Sequence, residues 1–241
     1  MANEISMDDL SVSFAKRGPG LRQANFKTSS APRTRIVYSV PMQIQNQSVF
    51  GKVKVAQRIS RNTVVLISTL YRCKHPDAKA LFDQYCEHLI QTQKIELEKQ
   101  QSALVKAVKQ AESQGYKFGT QGAPATVDVT ISNEHTEQLV ALLLLIDESV
   151  DLLNKLSAIH AITDAVFTEH HGFAIGSIDY IDKHISHLLS RLDKECAFKP
   201  GKKLNAANTK SVDFEKVKQV FQALLTPPEQ PAVAEPSGEE A

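Results

Sequence analysis

The sequence predicts an α+β protein, predominantly helical, in which two short strands accompany a set of long helices. Three observations predict it. Two short segments alternate apolar and polar residues with a period of two, the mark of a half-buried strand. Most of the remaining chain repeats Leu, Val and Ile at helical spacing. Composition agrees: 42% of residues are hydrophobic and only 6% aromatic, with no Trp, while ten Gly and ten Pro in 241 residues are too few for a low-complexity chain.

Residues 1–32 contain Gly18-Pro19-Gly20 and Thr28-Ser29-Ser30-Ala31-Pro32 with basic residues between them, and are expected to form a disordered basic arm. Residues 34–45 alternate: Ile36, Tyr38, Val40, Met42 and Ile44 fall on one face, and Arg35, Ser39, Gln43 and Gln45 on the other with Val37 and Pro41. Pro41 cannot donate to a ladder, so this strand is an edge or is split there. The period then changes. Val49, Val53, Ala56 and Ile59 suit a helix over 48–59, and Lys54, Arg58 and Arg61 share one basic stripe. Ser60-Arg61-Asn62-Thr63 reads as the start of a second helix, over Thr63–Cys73, because Ser and Asn are favoured N-caps. Val64, Ile67, Leu70 and Tyr71 are its expected core face.

His75-Pro76-Asp77 opens a third helix, since Pro suits the first turn and Asp its positive end. It is expected to run to Gln114 and stop at Gly115, a length that favours packing in a hairpin or in a dimer. After a loop over 115–125, Thr126–Ser132 alternates again and forms a second strand. Asn133 caps a helix over about 135–168, whose all-round apolar start, Leu139–Ile146, marks the central core. Gly172 and Gly176 punctuate the chain, and Ser177 caps a helix over 178–196. Pro200-Gly201 breaks it, Val212–Leu225 is a last short helix, and 226–241 is an acidic, disordered tail.

Net charge is only +1, but its distribution is uneven. From Leu10 to Pro76 there is no Asp or Glu, while twelve Lys and Arg lie in the same stretch. Even spreading of the 27 acids would place about seven there. A surface that must meet a polyanion without local repulsion has this asymmetry; a solvated basic face is the blander explanation.

The strand, helix, capped turn and helix of 33–74 have the layout of a ribbon–helix–helix-like unit, to which 75–225 adds long helices for a core and for oligomerisation. In such a unit two strands, one from each of two chains, pair into a ribbon narrow enough for the major groove of double-stranded DNA. Gln43 and Gln45 would read bases, with Ser39 on the same face. Arg33 and Arg35 would read guanine or hold phosphate, and Lys52, Lys54 and Arg58 would add positive charge. Ser60, Arg61 and Asn62 would cradle a phosphate at the second helix's N-terminus. An edge strand of a mixed sheet is the alternative for 34–45.

The segment Lys54–Thr63 resembles the helix–turn–helix joint of ribbon–helix–helix repressors, although the usual turn Gly is missing. More broadly, three features are similar to the AcaB family of regulators from conjugative plasmids and integrating conjugative elements: the strand and basic helix at the start, the middle amphipathic helices, and the later strand followed by a Leu-rich helix ending in Asp, Val127–Ile131 and Leu139–Asp147. The resemblance covers most of 34–225 loosely. It implies transcriptional activation of transfer genes through a ribbon–helix–helix fold with extra helices; the expectation for this chain is a sequence-specific DNA-binding regulator acting as a homodimer or higher homo-oligomer.

Catalysis has little support. His184 and His187 share a helix near Asp179 and Asp182, and Asp147, Glu148 and Asp151 cluster on another, but a polar helix face explains both sets. Zinc-site spacings, a Walker loop and a dinucleotide fingerprint are absent, so no enzyme activity, metal or cofactor is expected. Cys73, Cys86 and Cys196 are odd in number and scattered, which suits a reducing compartment; with no signal peptide and no long apolar run, a cytoplasmic protein without membrane contact is expected. The acidic remainder would join copies of the chain and offers a surface for RNA polymerase. A different class also fits: an adaptor in a mobile element's transfer machinery, with weak or no nucleic-acid binding.

Overall fold

The computed structural model describes residues 38–119, 123–200 and 212–225. The expected arm at 1–32, Arg33, Arg35 and the tail at 226–241 lie outside the described residues. Two strands and five helices are present among those described: β1 (Tyr38–Ile44), α1 (Gln47–Arg72), α2 (Pro76–Ser113), β2 (Ala125–Ile131), α3 (Glu134–Ala158), α4 (Asp164–Cys196) and α5 (Phe214–Leu225).

Both period-two segments are strands, and they pair with each other. β1 runs antiparallel to β2 with Val40 opposite Val129, Met42 opposite Val127 and Ile44 opposite Ala125. Val40, Met42, Ile44, Val129 and Ile131 are buried, so this face of the ribbon rests on the helices. Ser39, Pro41 and Gln43 face outward across from Thr130, Asp128 and Thr126. β1 and β2 of the same chain thus make a two-stranded ribbon, whereas the sequence suggested strands from two chains.

The expected break at Ser60–Thr63 is absent, because α1 is one helix through those positions. Its buried face continues through Val49, Val53, Ala56, Ser60, Thr63, Leu66 and Leu70, at spacings of three and four. Ser60 and Thr63 are polar in the core yet satisfied. Ser60 Oγ lies 2.6 Å from Thr136 Oγ1, and Thr63 Oγ1 donates to the Ser60 carbonyl at 2.8 Å. Small hydroxyl residues read as a cap in the sequence; here their hydrogen bonds let them replace apolar residues within the stripe. Tyr71, expected in the core, is 55% exposed, since the continuous helix keeps the phase set by Val49 and Val53.

α2 begins at Pro76 as expected, and Gly115, at φ +97°, follows its end. α3 is capped by Asn133, whose side chain accepts the Thr136 N–H at 2.9 Å. α3 stops at Ala158, earlier than expected. His160 takes the left-handed conformation usual for Gly, and the Ala161 N–H closes back on the Leu156 carbonyl at 3.0 Å. Thr163 then caps α4, which passes through Gly172, Gly176 and Ser177 without interruption. α3 lies at the centre, with α1, α2 and α4 packed around it, and α5 closes on α2 through Phe221 against Phe82. α2 is held in place by α3 and α5 of the same chain.

Candidate nucleic-acid interface

β1 delivers its polar residues to solvent because its apolar alternates are committed to the core. Ser39, Gln43 and Gln45 are all exposed, as a base-reading surface requires. The face is not free of acid: Asp128 sits opposite Pro41. Its carboxylate would repel a phosphate and limits how the ribbon could enter a groove.

The junction between β1 and α1 is fixed from α3. Asp147 is buried at 5% exposure. Its Oδ2 accepts the Gln45 N–H at 2.8 Å, and its Oδ1 accepts the Asn46 N–H and Asn46 Nδ2, each at 2.9 Å. Asn46 is the N-cap of α1 but does not cap it with its own side chain. That side chain also accepts from Asn154 Nδ2 at 2.8 Å. A buried carboxylate thus sits at the positive end of α1, where the dipole and unpaired N–H groups favour an anion. Asp147 does not form part of a solvent face or a carboxylate pair: Glu148 bonds Gln101, and Asp151 pairs with Lys155.

The basic stripe of α1 divides into two sets. Lys54 and Arg61 are exposed, with no ion-pair partner among the described residues. Lys52 pairs with Asp179, and Arg58 binds Asp182 through Nε at 3.0 Å and Nη2 at 2.6 Å. Both acids lie on α4, and the Asp182 hydrogen bond and charge raise the Arg58 pKa above its ordinary value. The sequence could not show this pairing, because the partners are separated by 127 and 124 positions. Asn62 is half-buried, and Ser60 is 6% exposed and bonded inward. The expected phosphate cradle at Ser60-Arg61-Asn62 is therefore not assembled: there is no helix N-terminus there, Ser60 is turned inward, and Arg61 alone of the three is fully exposed.

The other candidate clusters disperse. No group of three or more metal-ligating side chains is present among the described residues. His184 Nδ1 donates to the Tyr180 carbonyl at 2.8 Å, His170 bonds Gln100, and His171 lies 3.3 Å from Ser48 Oγ. Burial pushes the Cys86 thiol well up, and Cys73 and Cys196 are also raised by burial, so the thiols stay protonated. The gap among Ile59, Thr63, Cys86, His135 and Ile181 leaves no room for even a water molecule. No described helix is long and apolar enough to cross a membrane.

The fold defines a helical α+β protein that carries a polar-faced, two-stranded ribbon on a helix core. No protein-family model matches the chain, and no curated protein is detectably similar to it. A solved structure shares the fold: crystalline selenomethionine-containing AcaB from uropathogenic E. coli, with a TM-score of 0.54 and 16% sequence identity, over 79% of this chain and 99% of that one. At that identity the likeness concerns the fold alone.

Proposed function

We propose that the chain is a sequence-specific, duplex-DNA-binding regulator of transcription, an activator of transfer genes on a mobile element. One observation carries the proposal: the 67-residue run without an acid builds β1 and α1, and places Ser39, Gln43, Gln45, Lys54, Arg58 and Arg61 in solvent. Phosphate contacts position a protein on DNA and base contacts specify the site. Lys54 and Arg61 are assigned to phosphate, Gln43 and Gln45 to base edges. Lys52 and Arg58 are secondary, because contact with DNA must compete with Asp179 and Asp182. The AcaB-like sequence features and the shared fold support the regulator role and the link to conjugation.

The test is substitution. Lys54→Ala with Arg61→Ala should weaken binding to all duplexes and lower the salt slope by about two units. Gln43→Ala should relax preference at one base position and leave the slope unchanged. Unaltered affinity in both variants contradicts this assignment.

A specific observation favours a second function, the adaptor. Asp128 lies on the ribbon's outer face, and two of the four cations between Lys52 and Arg61 are neutralised within the fold. Its mark is a protein partner that binds tightly while no duplex is preferred.

A further inference from the structure

α4 has an open face that nothing in the described fold requires. Gly172 and Gly176 lie one turn apart in the helix interior, where only Pro is less favourable than Gly. A Cβ built on either meets nothing within 4 Å, so no internal contact demands Gly at these positions. Beside them Phe173 and Tyr180, spaced by seven residues, are each 41% exposed. Glu169 and Lys183 are exposed on the same face, and neither has an ion-pair partner among the described residues.

These residues are arranged symmetrically about Gly176. Glu169 is seven positions before it and Lys183 seven after; Gly172 is four before and Tyr180 four after. A second helix of identical sequence, laid antiparallel with the two-fold axis beside Gly176, therefore places each Glu169 opposite the other copy's Lys183, at both ends of the contact. It also brings each Tyr180 level with the other copy's Gly172. The missing side chains at the axis allow the two backbones to approach closely, as small residues do between packed helices. An isologous contact requires such self-complementarity, since residue i must meet residue j and j must meet i.

We propose that this face of α4 is a self-association surface whose occupant is α4 of a second copy of the chain. The charge pattern selects that occupant: an unrelated partner would not need acid and base at equal distances from one glycine. The ribbon and α1 are not needed for it, so the surface stands or fails independently of nucleic-acid binding.

The test is sedimentation velocity on the full chain, over a concentration range from micromolar to sub-millimolar, with circular dichroism confirming that each variant is folded. Wild type should be dimeric. Glu169→Lys alone and Lys183→Glu alone should each weaken association at least about tenfold, because like charges then meet twice. Mixing those two variants should restore a dimer, since every 169–183 contact between them is again of opposite sign. Gly176→Leu should leave the monomer folded, given the open space at its Cβ, and abolish the dimer. A wild-type chain that remains monomeric throughout overturns the proposal, as do single reversals that dimerise like wild type, or a mixture that stays monomeric.

Discussion

At the residue scale, buried polar side chains fix the geometry that the ribbon and α1 share. Asp147 uses both carboxylate oxygens as acceptors from the turn at Gln45 and Asn46. Removing it strands buried donors, so Asp147→Ala should cost about 3 kcal/mol in urea unfolding. Asp147→Asn should not rescue, because one acceptor becomes an NH2 group facing an N–H. An Asn variant as stable as wild type would show that the carboxylate is not the organiser of this junction. Asp83 sets a pH dependence. Burial pushes its pKa up, but hydrogen bonds from His135 and Lys79, with their charges, outweigh burial and hold it below the ordinary value. A lowered folded-state pKa adds stability above the unfolded value of about 3.9, and that stability is lost as pH falls through the folded value. Asp83→Asn should therefore flatten the loss of stability below about pH 4, a change visible in urea midpoints measured across that range. An unaltered acid limb would remove Asp83 from the account.

At the element scale, α1 is the most informative case. Its continuity has a direct test, since Pro is accepted at the first position of a helix but not in the interior. Arg61→Pro should cost about 3 kcal/mol or more if α1 is unbroken, and little if a second helix starts at Ser60. Hydrogen exchange at the amides of 61–63 gives the same answer without a substitution: slow exchange for a continuous helix, fast for a capped turn. The sequence made both strands legible, because a two-stranded ribbon with one buried face must alternate. Pro76, Gly115 and Asn133 were equally legible as helix punctuation. The break and the helix stop that were misplaced have different causes. Ser60-Arg61-Asn62-Thr63 looks like a helix start until Ser60 Oγ pairs with Thr136 Oγ1, 76 positions away, and the Thr63 hydroxyl donates to the Ser60 carbonyl. His160 ends α3 in a conformation usually left to Gly, so no glycine marks the stop, and the two glycines that seemed to mark one lie inside α4. Local residue preference is a weak guide wherever tertiary partners satisfy the polar group.

At the scale of the whole molecule, the acid-free third of the chain is not left as an isolated basic surface. α4 returns two carboxylates to it, and β2 places a third on the outer face of the ribbon. The candidate surface was legible as a set of residue types, whereas which cations stay available depends on the packing of α4 on α1. Replacing Asp179 and Asp182 by Asn should release Lys52 and Arg58, strengthen duplex binding and steepen its salt dependence by up to about two units. The same double substitution should have little effect on unfolding stability, since both pairs lie partly in solvent. The most direct test of nucleic-acid binding is a titration of the full chain against duplex DNA from upstream of its own operon, at two salt concentrations and with unrelated duplex as competitor. Binding that survives competitor and falls steeply with salt is the expected result; no binding, or binding that the unrelated duplex removes, contradicts a sequence-specific regulator.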